Sequence, residues 1–280
     1  MHPCIIFIES MINKTKSILR KIFYIKQIKK FIIFLLRKKL ISRRFRNLIQ
    51  LDGFNNIYKS NIDIFNSQYD SVSRDLCIFG VTKKEEKIFN KFIEVVKNSN
   101  SFLDIGSGIG LYTLFAIKLN PSISSLSIEP NPAVFKILNK NLKNLSEFNS
   151  NHKVMNKFVS QQKLNIEFNI PTGDDFSYGT SERYLLEEKN IPFETIIVET
   201  TQISEFNHSR FEIIKIDVEG SELDVLFAIE EYLTYCNLLF IEIIDSQKDL
   251  VYNFLKNNNF KPLVESKENV RNYIFISEAI

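Results

Sequence analysis

Two short stretches carry chemistry that ordinary core residues do not. The first, DIGSGIG from Asp104 to Gly110, lies between an apolar run at 101–105 and a helix-spaced run at 111–119. Glycines placed between a strand and a helix let the backbone turn sharply and approach a ligand where a Cβ would clash, with the helix N-terminus behind it. Glu129 closes the next strand-like run, 21 residues after Gly108, where a carboxylate can accept two hydrogen bonds from a ribose diol. That arrangement suits dinucleotides and other nucleosides alike, and two details separate them. Leu111 stands where a pyrophosphate site wants its third glycine, and Asp104 at the strand tip would repel a pyrophosphate but attract an ammonium. The residues point to a nucleoside with a positively charged tail; a tight turn with a helix cap is the plainer alternative.

The second stretch, IIKIDVEGSE from Ile213 to Glu222, is an apolar strand ending in alternating acids, a glycine and a helix start. In a parallel sheet, ligands sit outside the carboxyl ends of the strands, so this turn belongs beside the first. Asp217 and Glu219 could line a pocket, orient a substrate hydroxyl or bind a cation; capping the following helix is the competing role, and the only one expected of Glu222. Glu242, within the apolar FIEII, needs a partner and is a candidate proton acceptor or substrate ligand, with Asp245 as the alternative. Asp174 and Asp175 lie in a polar insertion at 171–188 that reads as a solvated loop or a lid over the acceptor. His152 and His208 fall in polar stretches read as surface, although His208 precedes the Asp217 strand and stays an alternative base. No metal site is expected, because Cys4, Cys77 and Cys236 form no CxxC and have no histidine at ligand spacing.

Positioning these groups requires alternating strands and helices. Helical spacing marks 83–97, 111–119, 132–145, 221–233 and 247–257; strand patterns mark 101–105, 124–129, 212–218, 238–244 and 272–277, with strand-like runs within 154–170. Apolar, two-sided strands alternating with helices mean a parallel sheet covered on both faces.

The stretches 102–142 and 213–226, with a Glu-Pro-Asn at 129–131 between the glycine turn and the acidic turn, resemble the FkbM-type S-adenosylmethionine-dependent methyltransferases. Val159-Ser160 and the loop at 173–181 sit where that family has a strand-end serine and a Gly/Ser-rich insertion. Ser107 and Ile109 replace the more usual Ala and Asn. The resemblance covers about 83–277. It implies an α/β, Rossmann-like class I methyltransferase: a mainly parallel seven-stranded sheet with helices on both faces. It also implies O-methylation of a sugar, glycan or secondary-metabolite hydroxyl with S-adenosylmethionine as methyl donor. By that resemblance Asp104, Gly106, Ser107, Gly108, Gly110, Glu129, Asn131, Ser160 and Asp217 contact the cofactor, with Glu129 on its ribose. Asp217 and Glu219 flank the transferring methyl, and Glu219 and Glu242 are the leading general bases. A non-catalytic cofactor-binding module, an NAD-dependent oxidoreductase and a scaffold in which only the arm matters are the rival readings.

That arm lies outside the resemblance. Of 280 residues, the first 50 hold 13 Lys and Arg against one acid, Glu9, a net of +12, whereas 51–280 carry −9. Ile18, Ile22, Ile25, Ile28, Ile32 and Leu35/Leu36 recur at helical spacing among the cations, giving an amphipathic, cationic helix. It suits either an anionic membrane surface, through residues 14–46, or packing on the body or a partner; nucleic acid is disfavoured by the apolar stripe. The sequence thus divides into a basic arm (1–50), a connecting segment (51–82) and a methyltransferase domain (83–280). The odd cysteine count and the lack of a spanning segment place it in the cytoplasm, peripheral on the inner membrane face if the arm anchors it.

Overall fold

Local sequence signals and the burial they drive account for most of the elements. The computed structural model describes residues 26–66, 71–83, 85–161, 165–172, 179–205, 210–264 and 271–279. Cys4, the arm residues Ile18, Ile22 and Ile25, Asp174, Asp175 and His208 lie outside the described residues. Two compact units, 1–80 and 81–280, divide the chain.

In the first unit, helix α1 (Lys26–Arg37) is followed by a 3-10 turn (Arg43–Leu48), an antiparallel hairpin of β1 (Gly53–Asn56) and β2 (Asp63–Asn66), and α2 (Ser71–Phe79). Leu36, Ile49, Ile57, Ile62, Ile64, Leu76 and Ile78 are buried. Arg37 donates from Nε to the Ile78 carbonyl at 2.7 Å and lies 3.8 Å over the Tyr58 ring. Residues 53–79, read from sequence as part of a connection, thus form a hairpin and a helix. Strands of four residues are too short to show an alternating pattern.

The second unit contains, in order, α3 (Glu86–Val96), β3 (Ser101–Ile105), α4 (Leu111–Leu119), β4 (Ser124–Ile128), α5 (Pro132–Asn144), β5 (His152–Met155), β6 (Phe158–Val159), β7 (Asn165–Pro171), α6 (Tyr184–Glu187) and β8 (Phe193–Thr201). It continues with β9 (Ile213–Ile216), α7 (Glu222–Ala228), α8 (Glu230–Leu233), β10 (Leu238–Glu242), α9 (Lys248–Asn257), β11 (Phe260–Val264) and β12 (Asn272–Ser277). The stretch 221–233, expected as one helix, is two, broken at Ile229 (φ −115°, ψ 12°). The main sheet has seven strands in the order β11-β12-β10-β9-β3-β4-β5, and β12 alone runs against the others. This is the Rossmann-like, mostly parallel α/β architecture. The strand order reverses between β3 and β9, which opens a crevice at their carboxyl ends.

Side-chain alternation assigns each strand residue to one of two cores. Phe102, Ile213, Phe240 and Ile274 pack under Ile88, Phe92 and Val96 of α3. Their neighbours Leu103, Ile214, Leu239, Ile241, Tyr273 and Phe275 join the opposite core with Val225, Leu226, Val251 and Leu255 from α7 and α9. A separate three-stranded sheet, β6-β8-β7, buries Phe158, Phe168, Ile170 and Val198. Its strands flank the insertion at 171–188: β6 and β7 fall within the strand-like runs of 154–170, save for the last residue of β7, Pro171, and β8 was not read from the sequence.

Phe92 is fully buried and its ring meets those of Phe89, Phe102, Tyr112 and Phe240. Phe92→Ala should lower unfolding stability by about 3–5 kcal/mol, read from the urea midpoint.

Candidate active site

The glycine turn and the acidic turn meet because β3 and β9 are neighbours. The Asp217 amide donates to the Ile105 carbonyl at 3.0 Å, and a Cβ on Gly106 (φ +74°) would lie 1.7 Å from the Asp217 carbonyl oxygen. No other residue fits at 106: its glycine is required by the second turn rather than by a ligand. Gly108 is the reverse case, since a Cβ there (φ +57°) would meet nothing within 4 Å. The turn is open at 108.

Behind it, three neighbouring strands each contribute one polar side chain. Asp104 on β3 is in register with Ser127 on β4 and Lys215 on β9. All three are buried. Thr113 of α4 donates to Asp104 Oδ2 at 2.6 Å, and its hydroxyl lies 2.7 Å from Ser127 Oγ. A hydroxyl has one proton, so Ser127 must be the donor in that second bond. Lys215 Nζ sits 3.0 Å from Asp217 Oδ2 and 4.8 Å over the Tyr112 ring. Burial pulls the Lys215 pKa down, but attraction by Asp217, Asp104 and Tyr112 outweighs it, and the ammonium is held above its ordinary value. Burial raises the Asp104 pKa against the opposing pull of Lys215 and Thr113. Lys215 was not singled out from the sequence; the available signal was a lone cation within an apolar strand, which must have a buried partner.

Glu129 is buried just past β4. Its Oε2 accepts from Gly108 N and its Oε1 from Asn131 N, both at 2.8 Å, which leaves each oxygen a free lone pair. Burial raises its pKa to about 7 despite these two bonds. Asn131 is buried as the N-cap of α5, accepting from Ala133 N at 3.0 Å and from Val134 N. Ser107 Oγ donates to the Asp104 carbonyl at 2.8 Å and so holds the turn, while Ser160, half-buried at the end of β6, donates its amide to Thr201 O at 3.1 Å.

Glu219 takes a left-handed backbone (φ +49°), a conformation costing a non-glycine residue about 1 kcal/mol. Three side chains fix this turn. Thr180 Oγ1 donates to Glu219 O at 2.6 Å, Glu222 Oε1 accepts from Gly220 N at 2.8 Å, and Gln247 Nε2 donates to Gly220 O. Ser181 and Ser221 share a hydroxyl bond of 2.5 Å, so the end of the insertion clasps the acidic turn. Burial raises the Glu219 pKa, Asp217 adds to the rise, and Arg271 and Lys189 oppose it. Glu242 accepts from Asn272 Nδ2 at 3.3 Å; burial, then Asp217 and Glu219, raise it to about 8. Asp245 is exposed. His152 is buried rather than at the surface: its ring stacks on Phe148 and its Nδ1 lies 3.0 Å from Ser125 Oγ, at the opposite end of β4. Among the described residues, no three His, Cys, Asp or Glu side chains are grouped so as to hold a metal.

The glycine turn and the acidic turn thus lie at the switch point of a mostly parallel sheet, the place where open α/β sheets bind ligands. A model of the methyltransferase FkbM domain matches residues 104–262, and the chain belongs to that family. It is 26% identical over 186 residues to Methyltransferase 1 of Beauveria bassiana (strain ARSEF 2860), covering 60% of this chain and 72% of that one. Similar solved structures include an FkbM methyltransferase from Methylobacillus flagellatus KT (16% identity, TM-score 0.46, 64% of this chain and 43% of that chain). Another is the putative methyltransferase yhhF from Escherichia coli (15% identity, TM-score 0.45, 81% of this chain and 100% of that chain). The chain spans less than half of the Methylobacillus protein.

Glu222 is fully buried, its Oε2 accepts no hydrogen bond, and burial raises its pKa from 4.5 to about 7. The folded state therefore binds this proton more tightly than the unfolded state. The resulting stability is complete below about pH 4.5 and is lost as pH rises through about 7. Glu222→Gln should stabilise the protein by about 1–3 kcal/mol near pH 8 and by little near pH 4, measured as thermal unfolding across pH.

Proposed function

We propose that the protein transfers a methyl group from S-adenosylmethionine to a hydroxyl oxygen of a sugar, glycan or secondary metabolite. The observation that carries this reading is the pairing of an open glycine turn with two differently placed acids, Asp104 and Glu129. The buried Asp104 Oδ1 accepts no hydrogen bond, so it suits the ammonium of a methionine tail. The spare lone pairs of Glu129 suit a ribose diol, and the open space at Gly108 suits the body of the ligand. These residues fit that cofactor and fit a pyrophosphate poorly. Gly106, Ser107 and Gly110 shape the cradle, with Asn131, Ser160 and Asp217 at its margin.

When bound, S-adenosylmethionine supplies an already activated methyl group, so the chain has chiefly to align the acceptor, exclude water and take a proton. Lys215 fixes the Asp217 carboxylate at 3.0 Å, leaving its other oxygen to orient an acceptor hydroxyl. A sugar hydroxyl is a weak nucleophile, and Glu242 is the general base in this reading. Its raised pKa makes it a stronger base than an ordinary carboxylate, and Asn272 holds its orientation. Glu219, in its strained turn, lies close enough to raise the Glu242 pKa and is the alternative base. Thr180 and Ser181, which follow β7, brace the acidic turn against which the acceptor would lie.

Calorimetric titration should give binding of S-adenosylmethionine and none of NAD, and Glu129→Ala should weaken it about tenfold to a hundredfold. Binding of NAD alone would overturn the reading. Incubation with methyl-labelled cofactor and cell extract should yield an alkali-stable methyl ether; label on nitrogen, carbon or an ester would exclude hydroxyl transfer. A base must be unprotonated, so kcat should fall as pH drops below about 8. Glu242→Gln should lower kcat by about 10²–10⁴ and remove that limb. Retention of both rate and limb would move the base to Glu219.

A further inference from the structure

Residues 26–50 carry nine Lys and Arg and no acid, a surplus the methyltransferase domain does not use. The structure sorts these cations into two groups. Arg37 donates to the Ile78 and Cys77 carbonyls, and Arg43 and Arg46 pair with Asp75 at 3.6 and 2.8 Å. Lys30, Lys38, Lys39 and Arg44 are exposed. The apolar residues divide likewise: Leu36 is buried, Ile28, Ile32, Ile33 and Leu35 are half-buried, while Phe31 and Phe34 are 60% and 50% exposed. Positions 30, 31, 34, 37 and 38 share one helix face. The aliphatic stripe is therefore engaged within the first unit, and the outward face presents two phenylalanines among lysines, continued by exposed Leu40 and Phe45.

We infer that this face docks on an anionic membrane surface, with Phe31 and Phe34 entering the headgroup region and Lys30, Lys38, Lys39 and Arg44 meeting lipid phosphates. Asp75 is taken up by Arg43 and Arg46, and among the described residues no carboxylate pairs with Lys30, Lys38, Lys39 or Arg44, whose charge is complementary to acidic lipid. Nucleic acid would satisfy the cations but not the exposed Phe31, Phe34 and Leu40, which an apolar boundary layer would cover. Among the described residues no helix is long and apolar enough to cross a membrane, and the inferred contact is a peripheral one.

The chain contains no tryptophan, so Phe34→Trp installs a single reporter in the full-length protein. Its emission should shift to the blue with vesicles of phosphatidylcholine containing about one third phosphatidylserine, and stay unchanged with phosphatidylcholine alone. In flotation with the same vesicles, Phe31→Ser/Phe34→Ser should lose recovery, and each of Lys30→Gln, Lys38→Gln and Lys39→Gln should weaken binding about fivefold, with thermal melting unaltered. An unshifted reporter, or flotation of the double phenylalanine variant equal to the parent, would overturn the inference. So would release of the parent from vesicles by a modest excess of single-stranded RNA.

Discussion

A single buried ammonium holds the two halves of the site together. Lys215 stands in a four-residue strand of otherwise aliphatic side chains, with Asp104 on the adjacent strand and Asp217 beyond its own carboxyl end. Removing a charge from water costs several kcal/mol, and only close opposite charge and hydrogen bonding offset it. Lys215 has the first from two carboxylates and a further contribution from the face of Tyr112. The arrangement works in both directions. Asp104 and Asp217 lie close enough to repel each other, and the nearby cation lets both remain beside the glycine turn without forcing the two turns apart. Thr113 and Ser127 complete the row, so the floor of the crevice is a polar rung within an apolar sheet.

Backbone contact supplies the second constraint. Because the Asp217 carbonyl occupies the space a side chain at 106 would need, only glycine is accommodated there once β3 and β9 pair. The acidic turn is in turn fixed from outside by Thr180, Ser181, Glu222 and Gln247. Strain at Glu219 is thus maintained by hydrogen bonds from three separate elements, the condition under which a left-handed non-glycine residue persists at a functional turn.

Much of this was legible in the sequence. The strands at 101–105 and 272–277 and the helix at 111–119 match their observed limits, because apolar periodicity there is uninterrupted. Gly106 and Glu129 were recognisable from spacing alone. Lys215 was not weighed, since a cation in an apolar run has meaning only once its register partner is known, and that partner lies 111 residues away in sequence. The burial of His152 depended on the Phe148 ring stacked on it. Asn131 caps α5, a role that Pro132 behind it already suggested. The hairpin at 53–66 and strand β8 escaped because short or half-exposed strands carry little alternation.

The reversed direction of β12 has a consequence for how such an enzyme could diversify. Every other strand of the sheet delivers its trailing end to the crevice; β12 delivers its leading end, so Asn272 reaches Glu242 and Arg271 acts on Glu219. The surroundings of Glu219 and Glu242 are therefore set in part by the start of β12, which follows the glycine turn and the acidic turn in the chain. Substitutions at Arg271 or Asn272 would change the surroundings of Glu219 and Glu242 while leaving Asp104, Gly108 and Glu129 untouched. In the proposed reaction, choice of acceptor and grip on the donor would then be encoded in separable parts of the chain.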